Sequence, residues 1–419
     1  MSKVFDIIKK EQKRQNDVIE LIASENFPSE NVRLAVGSIM MNKYTEGYPE
    51  KRYYGGCENF DVLENYCKEQ WQKVFHTNYH VNIQPHSGSN ANLAAYMAVL
   101  KPSDTVLSMN LENGGHLTHG SPVNISGKLF NFIHYDVNEQ GYIDYDDLEE
   151  KILEYKPALI VAGASSYSRE IDFHKIHDII HSISSLSTQY DYNKYVYDCG
   201  EDREIPKPYT PYLMVDMSHI AGLVAVGDHQ SPFGLADIIT TTTHKTLRGN
   251  RGALIFCKNE LAKKIDSAVF PCTQGGSLMN EIAGKAVTAE EAQTEEYKRY
   301  IHQVVVNAKA MAEEFQRLGF NVVSGGTDNH MFLIDLRATY PTISGREAQQ
   351  ALDAVGVTVN KNCVPNESRS PMEASGIRIG TPAMTTKGWK EEDFVLCAHR
   401  IYSCLENLNR SRFIFFKNS

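Results

Sequence analysis

The sequence predicts an α/β protein with two domains, the larger of which is built on a mostly parallel β-sheet. Between about residues 78 and 257, short apolar runs alternate with helical stretches of crossover length. The runs are apolar on both faces, which is typical of parallel strands covered by helices on either side. The length of 419 residues exceeds what one ordinary core fills, and a second α/β pattern follows beyond residue 320.

The elements of the larger domain follow from these patterns. We expect residues 3–20 to form a polar helix, either an arm that packs on a partner subunit or a plain surface helix. Strands of the sheet are predicted at Asp104–Met109, Ala158–Ala162, Tyr212–Val215, Ile238–Thr242 and Ala253–Phe256. The polar, tyrosine-rich stretch 182–211 is predicted to be an inserted loop that bulges from the surface.

The smaller domain begins with a long helical stretch. Over Ala283–Leu318, apolar residues recur at three- and four-residue spacing, and Gly319 supplies a stop. Strands are predicted at Asn321–Val323, Met331–Leu336 and Val357–Asn360, and helices at Gly345–Val355 and Glu391–Leu408. We therefore predict an N-terminal arm (1–20), a large domain (21–282) and a small C-terminal domain (283–419).

The composition excludes several classes of protein. A hydrophobic content of 42% and a charged content of 22% are those of a soluble globular protein. The net charge of -10, with no basic block, argues against nucleic-acid binding. No apolar run approaches the roughly 18 residues of a membrane span, and the N-terminus lacks the apolar core of a signal peptide. The eight cysteines form no CxxC pair, so we expect no metal site, no disulfide framework and a reducing cytoplasm.

The run Thr240–Gly249 contains the most informative residue. Its β-branched threonines predict the end of a buried strand, and Lys245 follows directly. Burial lowers the pKa of a lysine, and a neutral amine attacks aldehydes to form a Schiff base. A lysine that reaches from the strand end to solvent is the alternative.

Asp216 strengthens the interpretation of Lys245. It follows the apolar strand Tyr212–Val215, at the edge where open α/β sheets place their ligands. A buried carboxylate needs a cationic partner, and a protonated pyridine nitrogen is such a partner. An aspartate that caps the next helix is the alternative. Because Lys245 follows 29 residues later, the two together indicate a pyridoxal phosphate site.

Three glycine-rich segments offer groups for binding a cofactor. His86–Asn92 precedes a helix and predicts either a phosphate cradle or an ordinary N-cap. In Gly114–Gly120, His116 suits stacking on a cofactor ring, or a hydrogen bond within its own loop; no ligand set for a metal accompanies it. Gln274–Gly276 forms a turn suited to phosphate contact, or merely a loop.

Two further segments offer groups for binding a substrate. Tyr44–Gly56 is dense in tyrosine and glycine, and Glu46 within it could act as a general acid or base, unless the segment is a solvated loop. Arg378 lies between apolar residues of a short predicted strand, where a guanidinium is costly unless it meets an anion. Its planar fork matches a substrate carboxylate, and a structural salt bridge is the alternative.

Together these segments resemble the serine hydroxymethyltransferase family, which are fold-type I pyridoxal phosphate enzymes. The resemblance runs from Leu21 to Pro382, with the 182–211 stretch unmatched. The strings most specific to the family are Lys51–Gly56, Gly114–Ser121, Thr240–Gly249 and Ser324–His330. The resemblance implies a large domain with a mostly parallel sheet of the seven-stranded type, followed by a smaller C-terminal α/β domain.

The resemblance also implies roles for individual residues. Lys245 would hold pyridoxal 5'-phosphate as a Schiff base, Asp216 would pair with the pyridine nitrogen, and His219 would contact the ring oxygen. The other implied cofactor contacts are His116, stacked on the ring, and Tyr44, Ser87, Gly88, Ser89, Ser165, Gly275 and Gly276. Implied substrate contacts are Ser24, Glu46, Tyr54, Arg251 and Arg378. Implied contacts of tetrahydrofolate, the co-substrate, are Leu111, Gly115, His116, Leu117, Ser370, Pro371 and Met372.

The implied reaction is the reversible conversion of L-serine and tetrahydrofolate to glycine and 5,10-methylenetetrahydrofolate, with side aldolase activity on β-hydroxy amino acids. Tyr44, Glu46, Tyr54 and Gly275–Gly276 would serve a neighbouring subunit, which implies a homodimer or a tetramer. Two other interpretations stay open: a folate-independent aldolase, and a non-catalytic relative that binds a partner such as RNA. The folate-contact segments favour the transferase, and the presence of Lys245 speaks against the non-catalytic relative.

Overall fold

A computed structural model of the chain describes residues 2–185 and 209–417, with side chains up to residue 411. The insertion predicted over 182–211 therefore lies mostly outside the described residues. The helices are α1 (Lys3–Asp17), α2 (Glu30–Val36), α3 (Glu58–Val74), α4 (Gly88–Val99), α5 (Ile125–Leu129), α6 (Tyr145–Tyr155), α7 (173–185), α8 (Ala221–Val226), α9 (Ala262–Ser267), α10 (Met279–Ala292), α11 (Glu295–Arg317), α12 (Gly345–Ala354), α13 (Pro382–Thr386) and α14 (Glu391–Lys417).

The strands are short, as expected for an α/β protein. They are β1 (Ile19–Glu20), β2 (Gly47–Tyr48), β3 (Lys51–Arg52), β4 (His80–Asn82), β5 (Thr105–Met109), β6 (Asn131–Tyr135), β7 (Leu159–Ala162), β8 (Tyr212–Asp216), β9 (Ile238–Thr242), β10 (Ala253–Cys257), β11 (Asn321–Val322), β12 (Met331–Asp335), β13 (Val357–Thr358), β14 (Asn360–Asn362) and β15 (Gly376–Gly380). Short 3-10 turns cover Ile39–Asn42, Asn259–Leu261 and Val323–Gly325, and a π-helical turn covers Ala268–Thr273.

The larger domain contains a seven-stranded sheet in the order β4-β10-β9-β8-β7-β5-β6. Strands β5 to β9 pair in parallel, and β10 is antiparallel to both of its neighbours. The prediction of a mostly parallel sheet is thus confirmed, and the five predicted strands differ from the observed ones by at most one residue at either end. The carboxyl ends of β5, β7, β8 and β9 lie along one edge, which is where α/β sheets place their ligands.

Strands β4 and β6 were not predicted because their sequences carry a weaker pattern. β6 lies at the edge of the sheet and is only partly buried along most of its length. β4 has three residues, too few for a recognisable period. Both positions are at the sheet's margins, where burial on two faces is not required.

The smaller domain contains a four-stranded antiparallel sheet in the order β11-β12-β15-β14. The N-terminal part of the chain joins this domain, because β1 pairs in parallel with β13 through Ile19 and Val357. The predicted helix over residues 3–20 therefore ends earlier, at Asp17. Among residues 2–185 and 209–417, no helix is both long enough and apolar enough to cross a membrane.

The long helical stretch predicted over Ala283–Leu318 is two helices rather than one. α10 ends at Ala292, and Thr294 begins α11 by accepting a hydrogen bond from the backbone N–H of Tyr297 at 3.2 Å. α11 contributes to two separate hydrophobic cores, with Ile301 in the core of the large sheet and Phe315 in that of the small sheet. We propose that the chain divides into an arm, a large domain and a small domain. The predicted boundary between residues 282 and 283 falls inside α10, which packs on the large core on both sides of it, so we place the boundary within α11, which links the two cores.

Candidate active site

A cavity of about 360 Å³ opens at the carboxyl edge of the large sheet. The side chains and glycines that line it come from seven separate segments of the chain. They are Ser24, Glu25, Ser87, Gly88, Ser89, Asn92, His116, His119, Ala164, Ser165, Asp216, Ser218, His219, Thr242, His244, Lys245 and Arg251. The cavity thus brings together ten of the twenty-two candidate site residues. The candidates that do not line it are Arg378, Tyr44, Glu46, Tyr54, Gly275, Gly276 and the folate-contact residues other than His116.

Asp216 ends β8 and is buried against the cavity wall. Its Oδ2 accepts hydrogen bonds from Asn92 Nδ2 at 2.9 Å and from His119 Nε2 at 3.2 Å, and its Oδ1 accepts one from Ser218 Oγ at 2.6 Å. Burial opposes ionisation of the carboxyl, but the hydrogen bond from His119 and the charge of Lys245 outweigh it and lower the pKa of Asp216 well below its usual range. The cavity therefore contains a fixed negative charge.

Lys245 follows the end of β9 and is also buried. Its Nζ donates a hydrogen bond to Thr242 Oγ1 at 3.0 Å. Burial lowers the pKa of Lys245 to about 8, although the charge of Asp216 acts in the opposite direction. An amine of this kind is partly neutral near physiological pH, which makes it a nucleophile toward an aldehyde.

Ser87, Gly88 and Ser89 lie at the beginning of α4, where the unpaired backbone N–H groups of a helix favour an anion. Ser87 is the N-cap and accepts a hydrogen bond from the backbone N–H of Asn90 at 3.3 Å. A Cβ on Gly88 would approach Thr242 Cγ2 to 2.8 Å, so only glycine lets α4 lie this close to β9. The N-cap considered as the alternative is observed, and because the same segment lines the cavity, the phosphate cradle stays a prediction.

Hydrogen bonds fix the tautomers of two histidines in the loop after β5. His119 Nδ1 accepts the backbone N–H of His116 at 3.2 Å, so its Nε2 carries the proton that it donates to Asp216. His116 Nδ1 faces Thr118 Oγ1 at 2.7 Å, and burial lowers the pKa of His116 to about 4. His116 is therefore a neutral ring at the cavity wall, suited to packing against a flat ligand.

Arg378 lies in β15 of the small sheet and is buried. Its Nε donates to Asn360 Oδ1 at 3.0 Å and its Nη1 to the carbonyl of Ser165 at 2.5 Å. Burial lowers the pKa of the Arg378 guanidinium to about 10. Among the ion pairs of the described residues Arg378 has no carboxylate partner, so the salt bridge considered as an alternative is absent there. A buried guanidinium without a counter-ion is suited to an anionic ligand.

A second group of sequence candidates does not line this cavity. Tyr44 and Tyr54 contact each other with ring centroids 5.6 Å apart, and both are exposed. Glu46 and Tyr44 lie against the turn at Gly275 and Gly276, where added Cβ atoms would meet them at 3.7 and 3.2 Å. None of these five residues lines the cavity around Lys245 of the same chain.

The chain matches the family model of serine hydroxymethyltransferase over residues 1–188 and 183–401. It belongs to the serine hydroxymethyltransferase family. Members of this family are fold-type I enzymes that depend on pyridoxal phosphate, transfer one-carbon units and use tetrahydrofolate as co-substrate. The two matched ranges overlap at residues 183–188, at the start of the stretch 182–211, and the second range continues through it.

The cavity fits the cofactor of the serine hydroxymethyltransferase family. It combines an amine with a lowered pKa, a helix N-terminus for a phosphate, and the ionised Asp216, which accepts a hydrogen bond from the neutral His119 and has no lysine or arginine ion-pair partner among the described residues. The amine would bind the aldehyde of pyridoxal phosphate, the helix N-terminus its phosphate, and Asp216 its pyridine nitrogen. Within the described residues, no group of three or more His, Cys, Asp and Glu side chains could hold a metal ion.

The residues that the family resemblance assigns to tetrahydrofolate lie in two loops. Leu111 and Leu117 flank the buried Gly115 and are 38% and 48% exposed, whereas Met372 in the second loop is 69% exposed. Ser370 and Pro371 beside it are exposed as well. Exposed apolar side chains of this kind can pack against a ring of a bound ligand.

The sequence did not single out Asn92, His119 or Thr242 as members of the site. Asn92 is fully paired: it donates to Thr118 Oγ1 at 2.8 Å and to Asp216, and accepts from Thr240 Oγ1 at 2.7 Å. All three residues lie in segments that contain predicted site residues, but the sequence does not show which groups their side chains contact in the fold. The only available signal was the polar character of Asn92 and His119 next to small residues.

Proposed function

We propose that the protein catalyses the reversible transfer of the hydroxymethyl carbon of L-serine to tetrahydrofolate, giving glycine and 5,10-methylenetetrahydrofolate. The observation that carries this proposal is the cavity in which Lys245, Asp216 and the helix N-terminus at Ser87 converge. Pyridoxal phosphate, when bound, supplies a ring that accepts the electron pair released at the amino-acid α-carbon. The chain itself must bind, orient and manage protons.

Asp216 and Lys245 would have separate roles at the cofactor. Lys245 is the residue that would hold the cofactor, through a neutral Nζ. Asp216 stays ionised because Asn92, His119 and Ser218 donate to it, so it would keep a proton on the pyridine nitrogen. His116 would pack on the ring, His219 would contact its oxygen, and Ser165 would contribute a further contact.

Different groups would bind the phosphate and the amino acid. Ser87, Gly88 and Ser89 would bind the phosphate. Arg378, which donates to the carbonyl of the lining residue Ser165, would bind the amino-acid carboxylate with its two-pronged guanidinium. Ser24 and Arg251 of the cavity wall would contribute further substrate contacts.

Tyr44, Glu46, Tyr54, Gly275 and Gly276 would complete the site of a neighbouring subunit. Their absence from the lining of the cavity in their own chain supports this assignment. Glu46 and Tyr54 would then hold or move the proton of the substrate hydroxyl. We propose that the protein is at least a homodimer because two chains are needed to assemble one site.

We further propose a cytoplasmic location, which the cysteines support. The seven described cysteines are all unpaired, and four of them are buried. Aldolase cleavage of other β-hydroxy amino acids is the second candidate activity. It is favoured by the same cavity, since it would use Lys245, Asp216 and Arg378 without the folate loops.

The visible absorbance of the purified protein tests the proposal. We expect pyridoxal phosphate to give a visible band that glycine alone changes weakly and that glycine with tetrahydrofolate changes strongly. A Lys245→Ala variant should lack the protein-linked band. A band that responds to glycine but not to tetrahydrofolate would favour the aldolase, and a chain that takes up no pyridoxal phosphate would refute both activities.

A further inference from the structure

A pair of buried histidines connects the two domains behind the cavity. His219 follows β8 and lines the cavity, whereas His330 precedes β12 of the small sheet. His219 Nδ1 and His330 Nε2 are 3.1 Å apart, with the ring centroids 5.3 Å apart and the ring planes inclined by 24°, so the rings meet edge to edge. His330 has no role in the function proposed above, although it ends the family-specific string Ser324–His330.

The backbone around His330 is held firmly in place. Its carbonyl accepts a hydrogen bond from the backbone N–H of Thr381 at 3.1 Å. The preceding residues attach to the loop after β7, since Asn329 Nδ2 donates to the carbonyl of Tyr167 at 3.0 Å and Thr327 Oγ1 to that of Ser168 at 3.0 Å. His330 is therefore presented to His219 by contacts from both domains.

Both rings are neutral in the cofactor-free protein. Burial lowers the pKa of His330 to about 3, and it lowers the pKa of His219 well below its usual range, with the charges of Lys245 and Arg378 acting in the same direction. Each ring therefore carries one proton. One of the two facing nitrogens must donate and the other must accept.

The second nitrogen of His330 decides between the two arrangements. His330 Nδ1 is buried and has no hydrogen-bond partner among the described residues. If His219 donated from Nδ1, His330 would carry its own proton on Nδ1, and that buried N–H would have no acceptor. If His330 donates from Nε2, only a lone pair is left unpaired. Buried unpaired N–H groups are the rarer and costlier of the two in folded proteins.

We propose that His330 is a positioning residue that fixes His219 in the tautomer with its proton on Nε2. His219 then accepts through Nδ1 and presents an N–H donor to the cavity. An N–H donor is what an anionic oxygen of a ligand requires, so the pair adapts the cavity to a ligand with a phenolate-type oxygen. The inference about the oxygen of the ligand rests on the proposed function, whereas the inference about the tautomer of His219 does not.

The tautomer can be measured without the cofactor by ¹⁵N NMR of the cofactor-free protein with labelled histidine. We expect a pyrrole-type shift for His219 Nε2 and a pyridine-type shift for its Nδ1. His330→Gln retains an amide donor and should retain both shifts. His330→Leu should remove the preference and alter both shifts. Reversed shifts in the unmodified protein, or unchanged shifts in His330→Leu, would overturn the proposal.

Uptake of pyridoxal phosphate, followed by absorbance, provides the second readout. We expect His330→Leu to weaken cofactor binding by about tenfold, the loss of one hydrogen bond to a charged group, and His330→Gln to restore most of it. His134→Gln, in a half-buried histidine bonded to Ser108, serves as the matched control and should change neither readout. Failure to bind pyridoxal phosphate at all would refute the proposed function while leaving the NMR result intact.

Discussion

Lys245 and Asp216 show how burial and charge set the properties of single residues. Burial lowers the pKa of Lys245 to about 8, and the negative charge of Asp216 keeps it from falling further. The amine is protonated below this pH and nucleophilic above it. The same two residues thus provide a reactive amine and the charge that moderates it.

The pH dependence of cofactor uptake follows from this pKa. The rate at which cofactor-free protein takes up pyridoxal phosphate should rise with pH through about 8 and then level off. Asp216→Asn removes a charge that raises the pKa of Lys245, so the midpoint should move to lower pH. Asp237→Asn, in a carboxylate paired with Lys258, should leave the midpoint in place. A midpoint that does not move in Asp216→Asn would contradict the coupling.

Arg378 offers a second test at the residue scale. Arg378→Lys keeps the charge but loses the fork that holds a carboxylate at two points. We expect the KM for serine to rise roughly tenfold or more, since a hydrogen bond to a charged group contributes about 1.5–3 kcal/mol. Arg337→Lys, in an arginine already paired with Asp335, is the control. Equal KM values in the two variants would argue against carboxylate binding by Arg378.

Individual site residues were predictable where the residue type conflicts with its surroundings. Lys245 at a buried strand end and Arg378 between apolar residues are energetically unfavourable unless a ligand binds to their side chains. Asn92 and Thr242 were missed because a polar residue in a helix or at a strand end is ordinary. Asn92 matters through its hydrogen bond to the distant Asp216, which no local pattern encodes, and Thr242 through its contacts with Lys245 and with the helix that begins at Gly88.

At the scale of elements, a buried ion network holds the hairpin of β2 and β3 that follows Glu46. The Arg52 side chain is 4% exposed and pairs with Glu64, which is 0% exposed, at 2.6 Å, and with Asp61 at 2.8 Å. Gln84 after β4 donates to the same Glu64 carboxylate at 3.0 Å. The network ties the hairpin to α3 and to the sheet.

Removal of one partner should therefore loosen the hairpin. Glu64→Gln leaves Arg52 with Asp61 alone, and we expect a loss of roughly 3 kcal/mol in the free energy of unfolding, the lower end for a broken buried pair. Urea denaturation of the cofactor-free protein measures it. Glu69→Gln removes the exposed pair with Lys73 on the same helix and should have no measurable effect. A similar denaturation midpoint for both variants would exclude a structural role of the network.

Elements were predictable from sequence where burial imposes a period. The central strands β5, β7, β8, β9 and β10 are covered on both faces and were located to within a residue. The break between α10 and α11 was missed because the apolar spacing continues across it. Thr294 was the one local signal, since threonine commonly caps a helix. Pairing of β1 with β13 depends on contacts between distant segments and has no local signal.

The whole molecule is proposed to build each active site from two chains. If Glu46 serves the opposite subunit, a hybrid dimer of Glu46→Gln and Lys245→Ala chains contains one site with both residues intact. Mixing the two inactive variants after mild dissociation should then restore roughly a quarter of the normal activity, since half of the dimers are hybrids with one good site each. Each variant mixed with itself is the control.

Absence of recovery, with hybrid formation verified by mass spectrometry, would place Glu46 in the site of its own chain. A fully active monomer in sedimentation would contradict the shared site altogether. Neither outcome would alter the assignment of Lys245, because that residue lines the cavity of its own chain.

The most direct test of the whole account is the rate of glycine formation from L-serine with and without tetrahydrofolate. The account predicts rapid formation only when pyridoxal phosphate and tetrahydrofolate are both present, and none in Lys245→Ala. Equal rates with and without tetrahydrofolate would contradict it and would identify the protein as an aldolase that retains the serine hydroxymethyltransferase fold.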